Sequence, residues 1–153
     1  MNSGRNRLVA FTLDGQRYGL PLPAVERILR VVEVTALPEA PAVVLGIVNV
    51  QGRVIPVIDV RRRFRLPARD AGVTDQMVVA RTRRRSVVLL VDAVTGVLDY
   101  LEQHAVSAHD VLAELHYVEG VVKLDDGLLL IHDLEKFLSL EEETALDRAM
   151  ESG

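Results

Sequence analysis

Most of the chain alternates short apolar runs with turn residues at close spacing. That pattern predicts many short strands in a barrel or sandwich. Leu8 to Leu13 reads as a first strand, Asp14-Gly15 as a tight hairpin turn and Arg17 to Leu20 as the returning strand. Pro21 and Pro23 break the ladder. Residues 23–29 then predict one or two helical turns, because proline is tolerated in a first turn and Val25, Ile28 and Leu29 share one helical face. Residues 31–37 return to β character, and Pro38 and Pro41 mark a loop.

The stretch 42–60, AVVLGIVNVQGRVIPVIDV, is the most structured. Gly46 interrupts its first apolar run, as a bulge or a close backbone approach requires, and Gln51-Gly52 reads as a turn. Val54 to Val60 follows as a branched strand containing Pro56, which puts that strand at an edge or at a bulge. Residues 66–75 read as a polar loop. Met77 to Arg81 and Ser86 to Val91 predict two strands joined over Arg83, Arg84 and Arg85, and residues 93–100 another, broken by Gly96. Residues 107–115 predict a short helix capped by Ser107. Val118 to Leu124 and Leu128 to Ile131 predict a last hairpin over Asp125-Asp126-Gly127. Residues 133–150 carry an apolar stripe at helical period through Leu134, Phe137, Leu138, Ala145, Leu146 and Ala149. Two small five-stranded barrels fit this spacing better than one closed eight-stranded barrel.

Composition narrows the picture. The 153 residues suffice for one ordinary domain or for two small barrels sharing a core. Aromatic residues make up only 4%, so the core must be built from Val, Leu and Ile. The absence of cysteine excludes disulfides, thiolate metal sites and cysteine nucleophiles. No apolar run reaches the roughly 18 residues of a membrane helix and no signal peptide opens the chain, so a cytoplasmic location is expected. The net charge of −4 hides a split: residues 53–85 carry ten basic and three acidic groups, and residues 86–153 three basic and fifteen acidic. Either the two segments present surfaces of opposite sign to partners, or their charges pair with each other.

Candidate chemistry is sparse. His104, His109, His116 and His132 present no pair at helical spacing, so no metal site is expected. Asp133, after His132, reads as a helix N-cap. No nucleophile elbow or glycine-rich phosphate loop occurs. Asp59 and Asp92 each end an apolar strand and read as capping residues; an enzyme would need other ionisable groups to converge on them. The clusters 61–65 and 81–85 are arginine-rich, but only Phe64 accompanies them, too little for a nucleic-acid groove. What remains is a binding module that works through apolar side chains, special glycines and strand edges, without catalysis or a cofactor.

Four segments in order carry a family resemblance. LVAFTLDGQRYGLPLPAVERIL is similar to the opening of the chemotaxis coupling proteins, the CheW-like family. LPEAPAVVLGIVNVQGRVIPVIDVRRRF resembles the central signature, matched at Pro41, Gly46, Asn49, Gly52, Pro56, Asp59 and Arg61. VVLLVDAVTGVL resembles the second signature, and YVEGVVKLDDGLLLIHDLEKFL the closing hairpin and helix. The resemblance implies a mostly β fold of two intertwined five-stranded SH3-like barrels, with short helices and a C-terminal helix. It assigns residues 7–140 to the domain and 133–150 to the helix, with 1–6 and 151–153 flexible. It implies a non-catalytic adaptor, recruited to receptor arrays, that couples chemoreceptor cytoplasmic tips to the regulatory domain of a CheA-like histidine kinase. Other CheW-like proteins are further partners; nucleic acid and membrane insertion are not expected.

The positions matching the family's receptor groove are Val25, Ile28, Gly46, Asn49 and Val97, with Gln51 on the same expected surface. The competing reading makes Val25, Ile28 and Val97 inter-barrel core. Three departures stand out. Gln51 replaces the usual arginine of the Asn-x-Arg-Gly turn, Arg27 replaces a frequent glutamate, and Val88 replaces the glycine before the second valine–aspartate pair. The first two alter charge at the receptor surface. The third raises the alternative of a divergent member that binds receptors or coupling partners without engaging the kinase.

Overall fold

A computed structural model describes residues 6–107 and 117–152. Eleven strands form two sheets among the described residues. They are β1 (Arg7–Leu13), β2 (Gln16–Pro21), β3 (Val25–Arg30), β4 (Val44–Val50), β5 (Arg53–Ile58), β6 (Gln76–Arg81), β7 (Ser86–Val91), β8 (Ala93–Asp99), β9 (Ala105–Ser107), β10 (Val118–Leu124) and β11 (Gly127–His132). The helices are a single turn, α1 (Val60–Arg63), and α2 (Leu140–Ser152). One sheet runs β8-β1-β2-β11-β10-β9 and the other β3-β6-β7-β5-β4.

The run of branched residues in β6 and β7 follows from burial on both faces. Met77, Val79 and Val88 point to one apolar cluster, inside the five-stranded sheet; Val78, Ala80, Val87, Leu89 and Val91 point to another. β1 and β2 do the same on the other side. Leu8 and Ala10 enter a cluster inside the six-stranded sheet, while Phe11, Leu13, Tyr18 and Leu20 join the cluster of Val78 and Leu89. Strands from both ends of each sheet line its own cluster, so each sheet curls into a small barrel. The third cluster is the core the two barrels share. Fully burying a Val, Leu, Phe or Met side chain in these clusters contributes about 1.5–3 kcal/mol.

The two barrels are built alike. In each, a hairpin runs parallel to a second hairpin, β2 beside β11 and β7 beside β5, and a single edge strand, β8 or β3, completes the set. The registers coincide residue for residue. Val44 pairs with Ile58 and Gly46 with Val57 around a bulge; Val118 pairs with His132 and Gly120 with Ile131 around the same bulge. Residues 46–59 and 120–133 therefore superpose in pairing without a gap. The edge strands match as well. Val25, Arg27 and Ile28 face Ala80, Val79 and Val78; Val94, Gly96 and Val97 face Phe11, Ala10 and Val9, again around one bulge. The five-stranded barrel is contiguous in sequence, and the six-stranded barrel is assembled from both ends of the chain around it.

Several expectations change. Residues 23–29 are not helical: Leu22–Ala24 makes one 3-10 turn and Val25 begins a strand. One sheet has six strands, because the three-residue β9 extends it. Ser107 lies in β9, and the remainder of the helix expected over 107–115 lies outside the described residues, as do His109 and His116. The C-terminal helix is interrupted. Leu134–Lys136 is a 3-10 turn, Asp133 makes no side-chain cap, and α2 starts only at Leu140. Its start is a capping box: Ser139 Oγ accepts from the Glu142 N–H at 3.1 Å and Glu142 Oε1 accepts from the Ser139 N–H at 2.8 Å. Pro56 lies in an internal strand, but β5 pairs with β7 only at Val57 and Ile58, beyond the proline.

Candidate functional site

The basic and acidic segments pair with each other. Arg85 binds Glu143 at 2.8 Å and also Asp147, and Arg63 binds Glu142, so α2 is held to the barrels by its acidic face. Arg61 is nearly enclosed, its side chain 11% exposed, and bridges Asp14 at 2.7 Å and Asp92 at 2.8 Å. Asp14 lies in the β1–β2 turn and Asp92 between β7 and β8, so this guanidinium ties the two sheets together. Phe64 is stacked on Tyr18, with ring centroids 4.5 Å apart, and packs against the shared core rather than standing free for a nucleic-acid base.

A cavity of about 210 Å³ lies beside this junction, lined by Asp59, Arg61, Arg69, Asp75 and Asp92 among others. Burial pushes the Asp75 and Asp92 carboxyls up. Arg69 and the Gly72 N–H at Asp75, and Arg61, the Asp14 N–H and Arg69 at Asp92, outweigh it and hold both below the usual carboxylate range. A general acid or base works best with a pKa near the operating pH. These carboxylates are held ionised and paired, which suits an ionic lock. Asp59 accepts from the Arg62 N–H at 3.1 Å, the expected cap of α1. His132 is buried between Phe64 and Phe137, with neither ring nitrogen hydrogen-bonded among the described residues. His104 lies exposed in a 3-10 turn. Among the described residues, no three His, Asp or Glu side chains are placed to hold a metal ion.

The six expected contact residues fall into three groups. Ile28 and Val97 are exposed, 41% and 60%, at matching positions of the edge strands β3 and β8. Val25, at the start of β3, is half-buried against the shared core, as is its counterpart Val94. The other three belong to the β4–β5 hairpin. Gly46 holds φ +155°, and a β-carbon there would meet the Thr35 carbonyl oxygen at 2.3 Å. The backbone that approaches it is thus the chain's own. Asn49 Oδ1 accepts from the Gly52 N–H at 2.8 Å and closes the turn, whose tip is the exposed Gln51 at φ +51°. Gln51 and Arg27, two of the departures from the family pattern, line one depression together with Glu26, Val50, Arg53 and Val79. Val88, the third, is fully buried in the five-stranded barrel.

The sequence reading missed Arg61 as the inter-sheet bridge and missed the equivalence of Ile28 with Val97. The second was readable: Val25, Ile28 and Leu29 recur as Val94, Val97 and Leu98.

Two curled sheets on one shared core define the class, a double SH3-like barrel. Residues 7–142 match the CheW-like domain family, and the chain belongs to it. It is 29% identical to a probable chemotaxis protein CheW of Rhizobium etli and to the chemotaxis protein CheW of Rhizobium meliloti, over 95% of this chain and of each relative. The crystal structure of the scaffolding protein TtCheW from Thermoanaerobacter tengcongensis matches with a TM-score of 0.82 at 29% identity. That match covers 90% of this chain and 95% of that one.

Proposed function

We propose that the protein is a chemotaxis scaffold that acts without catalysis. It couples the cytoplasmic tips of chemoreceptors to the regulatory domain of a CheA-like histidine kinase and works in the cytoplasm at receptor arrays. The observation that carries this reading is the pair Ile28 and Val97, two apolar side chains left exposed at equivalent points of two sheet edges. A helical partner needs such anchors and little chemistry. In this reading Ile28, Gln51 and Val97 touch the receptor, while Val25, Gly46 and Asn49 shape the surface from beneath. Val88 is buried inside the five-stranded barrel, so this departure adds no exposed side chain to that barrel's surface, which supports retained kinase binding over a receptor-only role.

The test is capture of receptor tip and kinase regulatory domain, separately, by the wild type and by Val97→Glu. Val97→Glu should lower receptor binding at least tenfold with an unchanged unfolding midpoint. Unchanged receptor capture would remove β8 from the interface. Receptor capture without kinase capture by the wild type would favour the receptor-only role.

A further inference from the structure

We propose that the depression lined by Arg27, Gln51 and Arg53 at the end of the five-stranded barrel receives a carboxylate side chain of the receptor. This rests on the scaffold reading above and adds the chemistry that selects the partner. The depression measures about 250 Å³. Its one carboxylate is already engaged: Glu26 Oε1 accepts from Ser86 Oγ at 2.5 Å, and Glu26 Oε2 lies 3.5 Å from Arg53. Arg53 also donates to Ser86 Oγ at 2.8 Å. Arg27, by contrast, makes no ion pair and no side-chain hydrogen bond among the described residues, and it is exposed. The depression therefore holds a guanidinium that nothing among the described residues neutralises.

The fold does not require that guanidinium. The residue equivalent to Arg27 in the other barrel is Gly96, which holds φ +134°. The same bulged edge strand is thus built with no side chain at all at this point. Gln51 points the same way. It keeps a β-carbon at φ +51°, a left-handed conformation that is unfavourable for a residue with a side chain and that glycine would adopt freely. Both side chains line the same depression at positions where the fold gains nothing from them. An acidic side chain on the partner satisfies Arg27 by a charge-assisted hydrogen bond, with the Gln51 amide as a second donor. Charge at such a position governs partner choice and association rate.

The probes are soluble helical-hairpin tips of the chemoreceptors from this protein's own organism, titrated calorimetrically at low and moderate salt. At least one tip should bind the wild type, with affinity that falls as salt rises. Arg27→Glu should weaken binding to that tip at least tenfold and flatten the salt dependence. Arg27→Lys should stay within about threefold. Arg27→Gln should lose about fivefold, and it decides the matter if Arg27→Glu does not fold. Converting the matching receptor carboxylate to arginine should restore binding to Arg27→Glu. If Arg27→Glu and Arg27→Gln bind within twofold of the wild type while Val97→Glu abolishes binding, the carboxylate site is wrong and the scaffold reading stands. If the wild type binds no tip at all, both are wrong.

Discussion

Replacing His132 by isoleucine should stabilise the protein, and the gain should grow in acid. The imidazole is 1% exposed and neither ring nitrogen has a hydrogen-bond partner among the described residues. A neutral ring carries one N–H, and burying it unpaired costs about 1–3 kcal/mol. The equivalent residue in the other barrel is Ile58, fully buried, so this environment accepts a branched apolar side chain. The substitution also removes the contact with Phe137, whose ring centroid lies 3.6 Å away; such a contact is worth about 0.5–1.5 kcal/mol. A net gain of about 1 kcal/mol at neutral pH remains. Burial also pushes the imidazole pKa down from 6.5 to about 3. The unfolded chain takes up a proton below 6.5, and the folded one only near 3. The wild type therefore loses stability as pH falls through that window, at about 1.4 kcal/mol per unit, or about 2 kcal/mol between pH 7 and pH 5. The variant lacks the group, and every carboxylate is common to both proteins. Urea denaturation should give a difference of about 1 kcal/mol at pH 7 that widens to about 3 kcal/mol at pH 5. Equal differences at the two pH values would refute a buried neutral imidazole. A variant less stable than the wild type at both would refute the unpaired N–H.

Two further substitutions probe how the site is held. Arg61→Ala leaves Asp14 and Asp92 without their shared cation and should cost about 2–3 kcal/mol, read as a lowered denaturation midpoint; no loss would mean that the sheets are joined by the shared core alone. Gly46→Ala puts a methyl group against the Thr35 carbonyl and forces an unfavourable φ, so it should cost about 2–4 kcal/mol and raise amide exchange at Thr35 and Ile47, whose N–H groups bond across this contact. A neutral result would show that segment 34–35 moves aside freely.

What the sequence made legible depends on how local the cause is. Asp14-Gly15 was readable because positive φ at consecutive residues selects Asp and glycine, and the second turn was readable from Gly52 at φ +88°. The doubly buried strands β6 and β7 were readable from their unbroken apolar runs. β3 was misread because the bulge between Val25 and Arg27 adds one residue to the alternation. A bulged strand then shows the same three-and-four spacing as a helical turn. α2 was placed too early because Leu134, Phe137 and Leu138 are apolar for a different reason: they plug the shared core ahead of the Ser139 cap. Of the candidate site, the hairpin residues were visible as turn chemistry. The role of Arg61 was not, since its partners Asp14 and Asp92 lie far off in sequence and only the fold brings them together.

The interleaving of the barrels sets an order of assembly. Everything the five-stranded barrel needs leaves the ribosome as one continuous stretch. The β1–β2 hairpin emerges before it, yet of its two neighbours β8 follows the barrel directly and β11 is made last. Gln16 and Leu128, which share a hydrogen bond, are separated by 112 positions, and closing such a loop costs about 4 kcal/mol of chain entropy. An isolated hairpin is marginal in water. The β1 edge is covered once β8 follows, but the β2 edge stays bare until β11 arrives, and a chain truncated ahead of β10 leaves it so.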